Sequence, residues 1–137
     1  MTNVRTLLAL AAAAALAAGC RRAPRPDDVT GTWVLARFGG EPVPAIVPYD
    51  SGTFQMDSST LTLGGDGRYT LATHSAFGTS VSTQPPSRTV TSGGTYGRQG
   101  AVLHFAPADG PAWTARLDSA GATLTTEMEP VGVYRRK

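Results

Sequence analysis

The sequence predicts an all-β fold, an eight-stranded antiparallel up-and-down barrel behind a short N-terminal leader. Three observations predict it. Beyond the leader, apolar residues alternate with polar ones over short runs, and no stretch repeats with the 3.6-residue period of a helix. That pattern belongs to strands buried on one face. Tight glycine-bearing turns alternate along the chain with longer connections that contain proline. Finally, Trp33 heads the first run, and Arg135 and Arg136 stand at the end of the last.

In the leader, Arg5 supplies a positive charge and Leu7 to Ala18 is an unbroken Ala/Leu run. The run is shorter than the ~20 residues a membrane-crossing helix needs. A short apolar stretch with a basic flank and small residues at its end reads as a secretory signal. It ends Leu16-Ala17-Ala18-Gly19-Cys20, and Cys20 is the only cysteine. This ending resembles the bacterial lipobox, in which small residues precede a cysteine that is lipidated and becomes the mature N-terminus. The match departs at Ala17, where leucine is commonest. A domain with one cysteine forms no internal disulfide, and an anchor role accounts for a lone one. Residues 1–19 are thus read as a cleaved lipoprotein signal peptide, and 20–29 as the lipidated cysteine with a flexible tether. Residues 30–137 are read as the barrel. Arg21, not aspartate, follows the cysteine, and the resemblance then implies sorting to the outer membrane, facing the periplasm. The tether, RRAPRPDD, has the prolines and arginines of an extended, solvated spacer. Formal net charge is only +2, too light a basic balance to suggest nucleic acid.

The first strand is expected over residues 31–38. The second, 53–63, carries Phe54 and Met56 on one phase and Leu61 and Leu63 on the other. A change of phase needs an extra residue, so a bulge or break is expected near Asp57-Ser58-Ser59. The third, 67–77, alternates Tyr69 and Leu71 with Arg68 and Thr70; the fourth covers 88–97. Leu103 and Phe105 mark the fifth, 100–106. Trp113, Ala115 and Leu117 mark the sixth, 112–118. Leu124 and Met128 share a phase on the seventh, 122–129, and the eighth covers 131–136.

Tight hairpins are expected at Gly64-Gly65-Asp66-Gly67, Gly97-Arg98-Gln99-Gly100 and Asp118-Ser119-Ala120-Gly121. The alternate connections are longer. They hold Pro42, Pro44 and Pro48, then Pro85-Pro86, then Pro107 with Asp109-Gly110-Pro111. In an up-and-down barrel successive connections fall at opposite ends. One end is therefore closed by tight turns and the other framed by longer loops, as in a cup. The first strand starts, and the last finishes, at the tight end. Arg135 or Arg136 then arrives beside Trp33, where a guanidinium can stack on the indole for roughly 0.5–1 kcal/mol when exposed.

Here the chain resembles the lipocalin and lipocalin-like barrels, whose hallmark is Gly-x-Trp on the first strand under a late arginine. Gly31-Thr32-Trp33 with Arg135/Arg136 fill those places. More narrowly, it is similar to small bacterial lipocalin-like lipoproteins. The motifs that carry this likeness are Gly40-Glu41-Pro42-Val43-Pro44, Leu61-Thr62-Leu63 with Asp66-Gly67-Arg68-Tyr69, Gly93-Gly94-Thr95-Tyr96, and Val133-Tyr134-Arg135-Arg136. They span nearly the whole mature domain. Each alone is weak, and their order together is moderately specific. The helix that larger lipocalins pack on the barrel wall has no counterpart in this sequence.

Catalytic constellations are scarce, and an enzyme is not expected. His74 and His104 should point outward from strands that are not neighbours, short of the roughly three converging ligands a zinc site needs. Ser75 faces away from His74, because adjacent strand residues point to opposite sides. Asp66, Asp109 and Asp118 sit in turns and shape them. No glycine-rich loop leads into a helix, so neither cofactor nor metal is expected.

A binding cup is the leading expectation. Small barrels are either filled by side chains or just able to hold one small ligand. Arg37, Phe54, Phe77, Phe105, Trp113 and Met128 are the candidate mouth and cavity residues, with Tyr49 as a lid. Arg37 follows Trp33 and Leu35 in phase: it either faces inward to receive a carboxylate or reaches solvent. The aromatics either line a cavity for a small hydrophobic ligand or fill the barrel. In the second case the domain works as a protein-binding module of the envelope, an inhibitor or an assembly accessory, using the 39–52 loop and the tether.

Overall fold

The computed structural model describes residues 28–50, 52–79 and 86–137. The expected signal peptide, Cys20, most of the tether and Pro85 lie outside the described residues. The described chain is all-β, without helices, and forms ten strands: β1 (Gly31–Phe38), β2 (Glu41–Pro42), β3 (Ala45–Tyr49), β4 (Gly52–Leu63), β5 (Arg68–Thr79), β6 (Ser87–Gln99), β7 (Val102–Pro107), β8 (Trp113–Leu117), β9 (Thr123–Thr126) and β10 (Gly132–Arg136). Eight of them close an antiparallel barrel. Hydrogen-bonded neighbours run β4, β5, β6, β7, β8, β9, β10 and β1, and β1 pairs back onto β4.

The two strands absent from the sequence reading, β2 and β3, lie in the expected long loop after β1. They extend the wall at the loop-framed end. β2 pairs with the end of β1, and β3 with the start of β4. β1 accompanies β4 only from Thr60 to Leu63, while β3 takes the stretch from Gly52 to Met56. The switch happens at the expected bulge: the β4–β5 register shifts between Met56 and Ser58. Asp57 is the extra residue, so Met56 and Ser59 are both buried despite their odd spacing.

The walls differ in height. β4, β5 and β6 have 12, 12 and 13 residues, whereas β7 to β10 have 4 to 6. The mouth is therefore a lip with one tall side.

The closed end is built as the alternation requires. Asp66 Oδ1 accepts from the Arg68 amide at 3.1 Å. Asp118 Oδ1 accepts from the Ala122 and Thr123 amides at 2.8 and 3.2 Å. Those backbone donors, Thr123 first and then Ala122, hold the Asp118 carboxyl below its ordinary range. Trp33 is fully buried there, and its Nε1–H donates to the Val29 carbonyl at 2.9 Å. Arg136 lies opposite Trp33 in register and stacks its guanidinium 4.6 Å from the ring centroid. It also donates to the carbonyls of Thr30 and Asp28. Arg136 therefore closes the barrel, and Arg135, paired with Val34, is exposed.

The core sits in the lower part of the barrel. Trp33, Leu61, Leu63, Leu103, Phe105 and Leu124 are all essentially inaccessible. β6 and β7 approach closely at Gly94, where an added Cβ would lie 2.1 Å from the Ala106 carbonyl oxygen and 2.8 Å from Pro107 Cα. Backbone cannot yield as a side-chain tip can. Gly94→Ala is expected to lose about 3 kcal/mol, the upper range for overpacking. Gly97→Ala, whose Cβ meets open space, should be nearly neutral. Urea unfolding midpoints of the two variants compare them directly.

Candidate binding site at the barrel mouth

Above the packed core is a cavity of about 180 Å³ at the loop-framed end. Phe38, Met56, Leu71, Trp113, Met128 and Pro130 make its apolar wall. Gly132 leaves it room. Thr73, Thr126 and Tyr134 bring the polar atoms. At ~30 Å³ per water, it holds about six waters' worth of ligand. Pockets that enclose a whole drug-sized molecule run to roughly 300–1,000 Å³, so this one receives only the end of a ligand.

Its polar side is a row of hydroxyls. Ser59 Oγ lies 3.1 Å from Thr73 Oγ1 and 2.9 Å from Tyr134 Oη. Burial pushes the Tyr134 phenol above its ordinary value, so it stays protonated at neutral pH. Each hydroxyl has one proton to give. Two contacts among three hydroxyls use two protons and leave one without a partner inside the row. When Ser59 donates within the row, the spare proton is on Thr73 or Tyr134, and both border the cavity, where it can serve a polar atom of a bound molecule.

Of the expected mouth residues, Trp113 and Met128 line this cavity. Met128 does so from the bend after β9, because that strand ends at Thr126 and not at residue 129. Arg37 does not face inward. The β1–β10 register shifts between Leu35 and Arg37, so Ala36 is extra and the phase reverses. Phe38 turns inward instead, and the exposed Arg37 donates to the Gly40 carbonyl.

Phe105 does not line this cavity; with Trp113 and Met128 it borders a second pocket, of about 270 Å³, between β7, β8 and the bend after β9. It is 1% exposed and fills the barrel beneath Trp113, stacked 3.8 Å away at 4°. Phe54 packs on Phe38 with centroids 5.8 Å apart. Phe77 and Tyr49 form an edge-to-face pair at 5.5 Å. Both are about half exposed, on the tall wall above the cavity. Tyr49 thus belongs to a strand end and does not cover the cavity. Comparison with known proteins returns no match to a family model, a curated protein or a solved structure.

Phe38, Met56, Leu71, Thr73 and Tyr134 are among the eight lining residues that the sequence reading missed. The first needed knowledge of the Ala36 bulge, and the hydroxyl row needed the pairing of strands distant in sequence. His74 and His104 are on separate strands and face outward, His74 bonding Thr89 at 3.0 Å. Among the described residues no three His, Cys, Asp or Glu side chains converge as metal ligands. Glu127 is engaged by Thr114 at 2.7 Å and Arg116 at 3.1 Å. Thr114's hydroxyl is the main cause that lowers its carboxyl's pKa.

Tyr69 carries a further polar atom. It is 4% exposed, and its hydroxyl has no hydrogen-bond partner. A buried unpaired hydroxyl costs about 1–3 kcal/mol. Tyr69→Phe is therefore expected to raise stability by about 1 kcal/mol, read as a higher denaturant midpoint. A lower midpoint would show that a water or other group satisfies the hydroxyl.

Proposed function

We propose that this chain is a lipocalin-like lipoprotein of the bacterial envelope, a binding protein and not an enzyme. It is anchored through Cys20 in the outer membrane, facing the periplasm. Its mouth receives the apolar end of a small ligand. One observation carries this reading: above the packed core the barrel mouth has an apolar cavity bordered by the hydroxyl-bearing Thr73 and Tyr134. The Gly31-Thr32-Trp33 motif under Arg136 supports the lipocalin-like reading, and the sequence around Cys20 supports the anchor.

The ligand class follows from size and lining. A chain or ring with a single polar atom near its inserted end fits. A bulky or highly charged molecule does not, because a charge buried without a partner is costly. The second reading is a protein-binding module of the envelope. It draws on the exposed aromatic pair Tyr49–Phe77 beside the mouth and on a barrel otherwise filled.

Titration with 1-decanol, followed by Trp113 fluorescence and by amide NMR shifts, tests the first reading. Met128→Arg changes a half-exposed rim residue and should leave the fold intact. It is expected to weaken decanol binding at least about tenfold, a 1.4 kcal/mol effect. Binding that Met128→Arg does not alter would place the probe elsewhere. No binding of decanol, with capture of an envelope protein dependent on Tyr49 and Phe77, would favour the second reading.

A further inference from the structure

We propose that the closed end of the barrel is the face that meets the bilayer, seated on anionic phospholipid headgroups, so that the mouth points away from the anchoring membrane. The inference rests on the reading of Cys20 as a lipid anchor and adds an orientation and a second contact surface to it.

The chain enters the barrel at the closed end, and it is pinned there. Val29 is buried under Trp33, whose indole holds the Val29 carbonyl, and Arg136 holds the carbonyl of Asp28. Seven residues lie between Cys20 and Asp28, so eight Cα–Cα steps span them. Fully extended, those eight steps reach at most about 29 Å. The 12-residue β4 rises roughly 36–40 Å along its own axis. Even at the usual barrel tilt of about 35–45°, this wall stands nearly as tall as the stretched tether is long. A mouth-down barrel would need the tether drawn taut along its whole side. A base-down barrel leaves it slack.

Charge favours the same pose. Arg68, Arg98, Arg135, Arg136 and Lys137 stand exposed at the closed end. The carboxylates there are Asp28, Asp66 and Asp118, each accepting from turn backbone amides. The cations are therefore in excess, and Arg21, Arg22 and Arg25 of the tether lie on the same side in sequence. The mouth has the opposite balance: the exposed Arg37 and Arg88 are outnumbered by the exposed Glu41, Asp50, Asp109 and Glu129. Basic clusters beside an anchor are drawn to anionic lipid surfaces, and an acidic rim is repelled by them.

The test couples residues 20–137 through the Cys20 thiol to a maleimide lipid, since Cys20 is the only cysteine. The protein is placed in bicelles of phosphatidylethanolamine and phosphatidylglycerol doped with a gadolinium-chelating lipid. Amide signals of the closed-end turns, Gly65, Gly100 and Ala120, are expected to broaden. Those of Asp50, Asp109 and Glu129 at the mouth are expected to stay sharp. The contrast should weaken in Arg68→Gln/Arg135→Gln/Lys137→Gln, and in phosphatidylcholine, to what the short tether alone imposes. Equal broadening at both ends in the anionic bicelles, or stronger broadening at the mouth, would overturn the proposal. So would a contrast that the triple substitution leaves undiminished. Chemical coupling makes the result independent of lipidation in the cell. That reading fails separately, if the chain extracted from membranes has no acyl mass on Cys20.

Discussion

Trp33→Ala is expected to destabilise the barrel by about 3–5 kcal/mol, the range for deleting a fully buried aromatic. Trp33 is inaccessible to solvent and plugs the closed end. Its loss removes the plug, the donor to the Val29 carbonyl at 2.9 Å and the surface under Arg136. Arg136→Ala removes the same stack and the donors to Asp28 and Thr30 from the other side. Because the two residues touch, the double variant should fall short of the sum by roughly 0.5–1 kcal/mol, the worth of an exposed cation–π contact. Full additivity would show that the stack contributes nothing. Arg135→Ala is the control and should be nearly silent, since Arg135 is exposed and faces away from Trp33. A lone alanine at 33 leaves a cavity that neighbours can refill only in part, so Trp33→Phe should recover some of the loss. It will not recover the bond to Val29.

Phe105→Ala carries the second large effect, again about 3–5 kcal/mol, and it divides structure from function. Phe105 is the centre of a ring cluster: Trp113 stacked at 3.8 Å, Tyr69 edge-on at 5.1 Å and Tyr96 at 6.1 Å. Trp113 is only partly buried and forms the cavity wall. Trp113→Ala should therefore cost less stability than Phe105→Ala yet abolish decanol binding. Thermal unfolding and the titration together separate the two. Equal losses of stability would mean that Trp113 is as structural as Phe105, and the cavity would lose its principal wall.

Much of the fold was legible because alternation and turn chemistry are local. Leu61, Leu63, Tyr69, Leu103, Ala115, Leu117 and Leu124 all face inward as their phase requires. The break at Asp57 showed itself as a clash between Phe54/Met56 and Leu61/Leu63, and the register shift lies there. What failed was also a matter of phase. The bulge at Ala36 has no such clash to announce it, since only Arg37 and Phe38 follow before β1 ends. Reading on in phase allowed Arg37 to face inward; the bulge instead sends it to solvent and brings Phe38 to the cavity. The strands β2 and β3 were hidden by Pro42, Pro44 and Pro48, which mark turns and sheet edges alike.

The site was less legible, for a different reason. Alternation says which face a residue takes but not how high it stands in the barrel. Phe105 and Trp113 are both inward and directly paired, yet one is core and the other rim. Phe77 is inward in phase but sits above the short wall, where nothing faces it closely enough to bury it. The hydroxyl row joins Ser59 to Tyr134 across 75 positions of sequence. No local pattern reports such a contact.

The central claim is that the mouth cavity above the packed core holds a small ligand. Native mass spectrometry tests it most directly, on residues 21–137 secreted to a bacterial periplasm and purified without detergent. The account predicts a discrete added mass that organic extraction removes and that Met128→Arg fails to retain. A bare protein mass for both proteins, or an added mass that Met128→Arg retains in full, would contradict it and move the function to the outer surface.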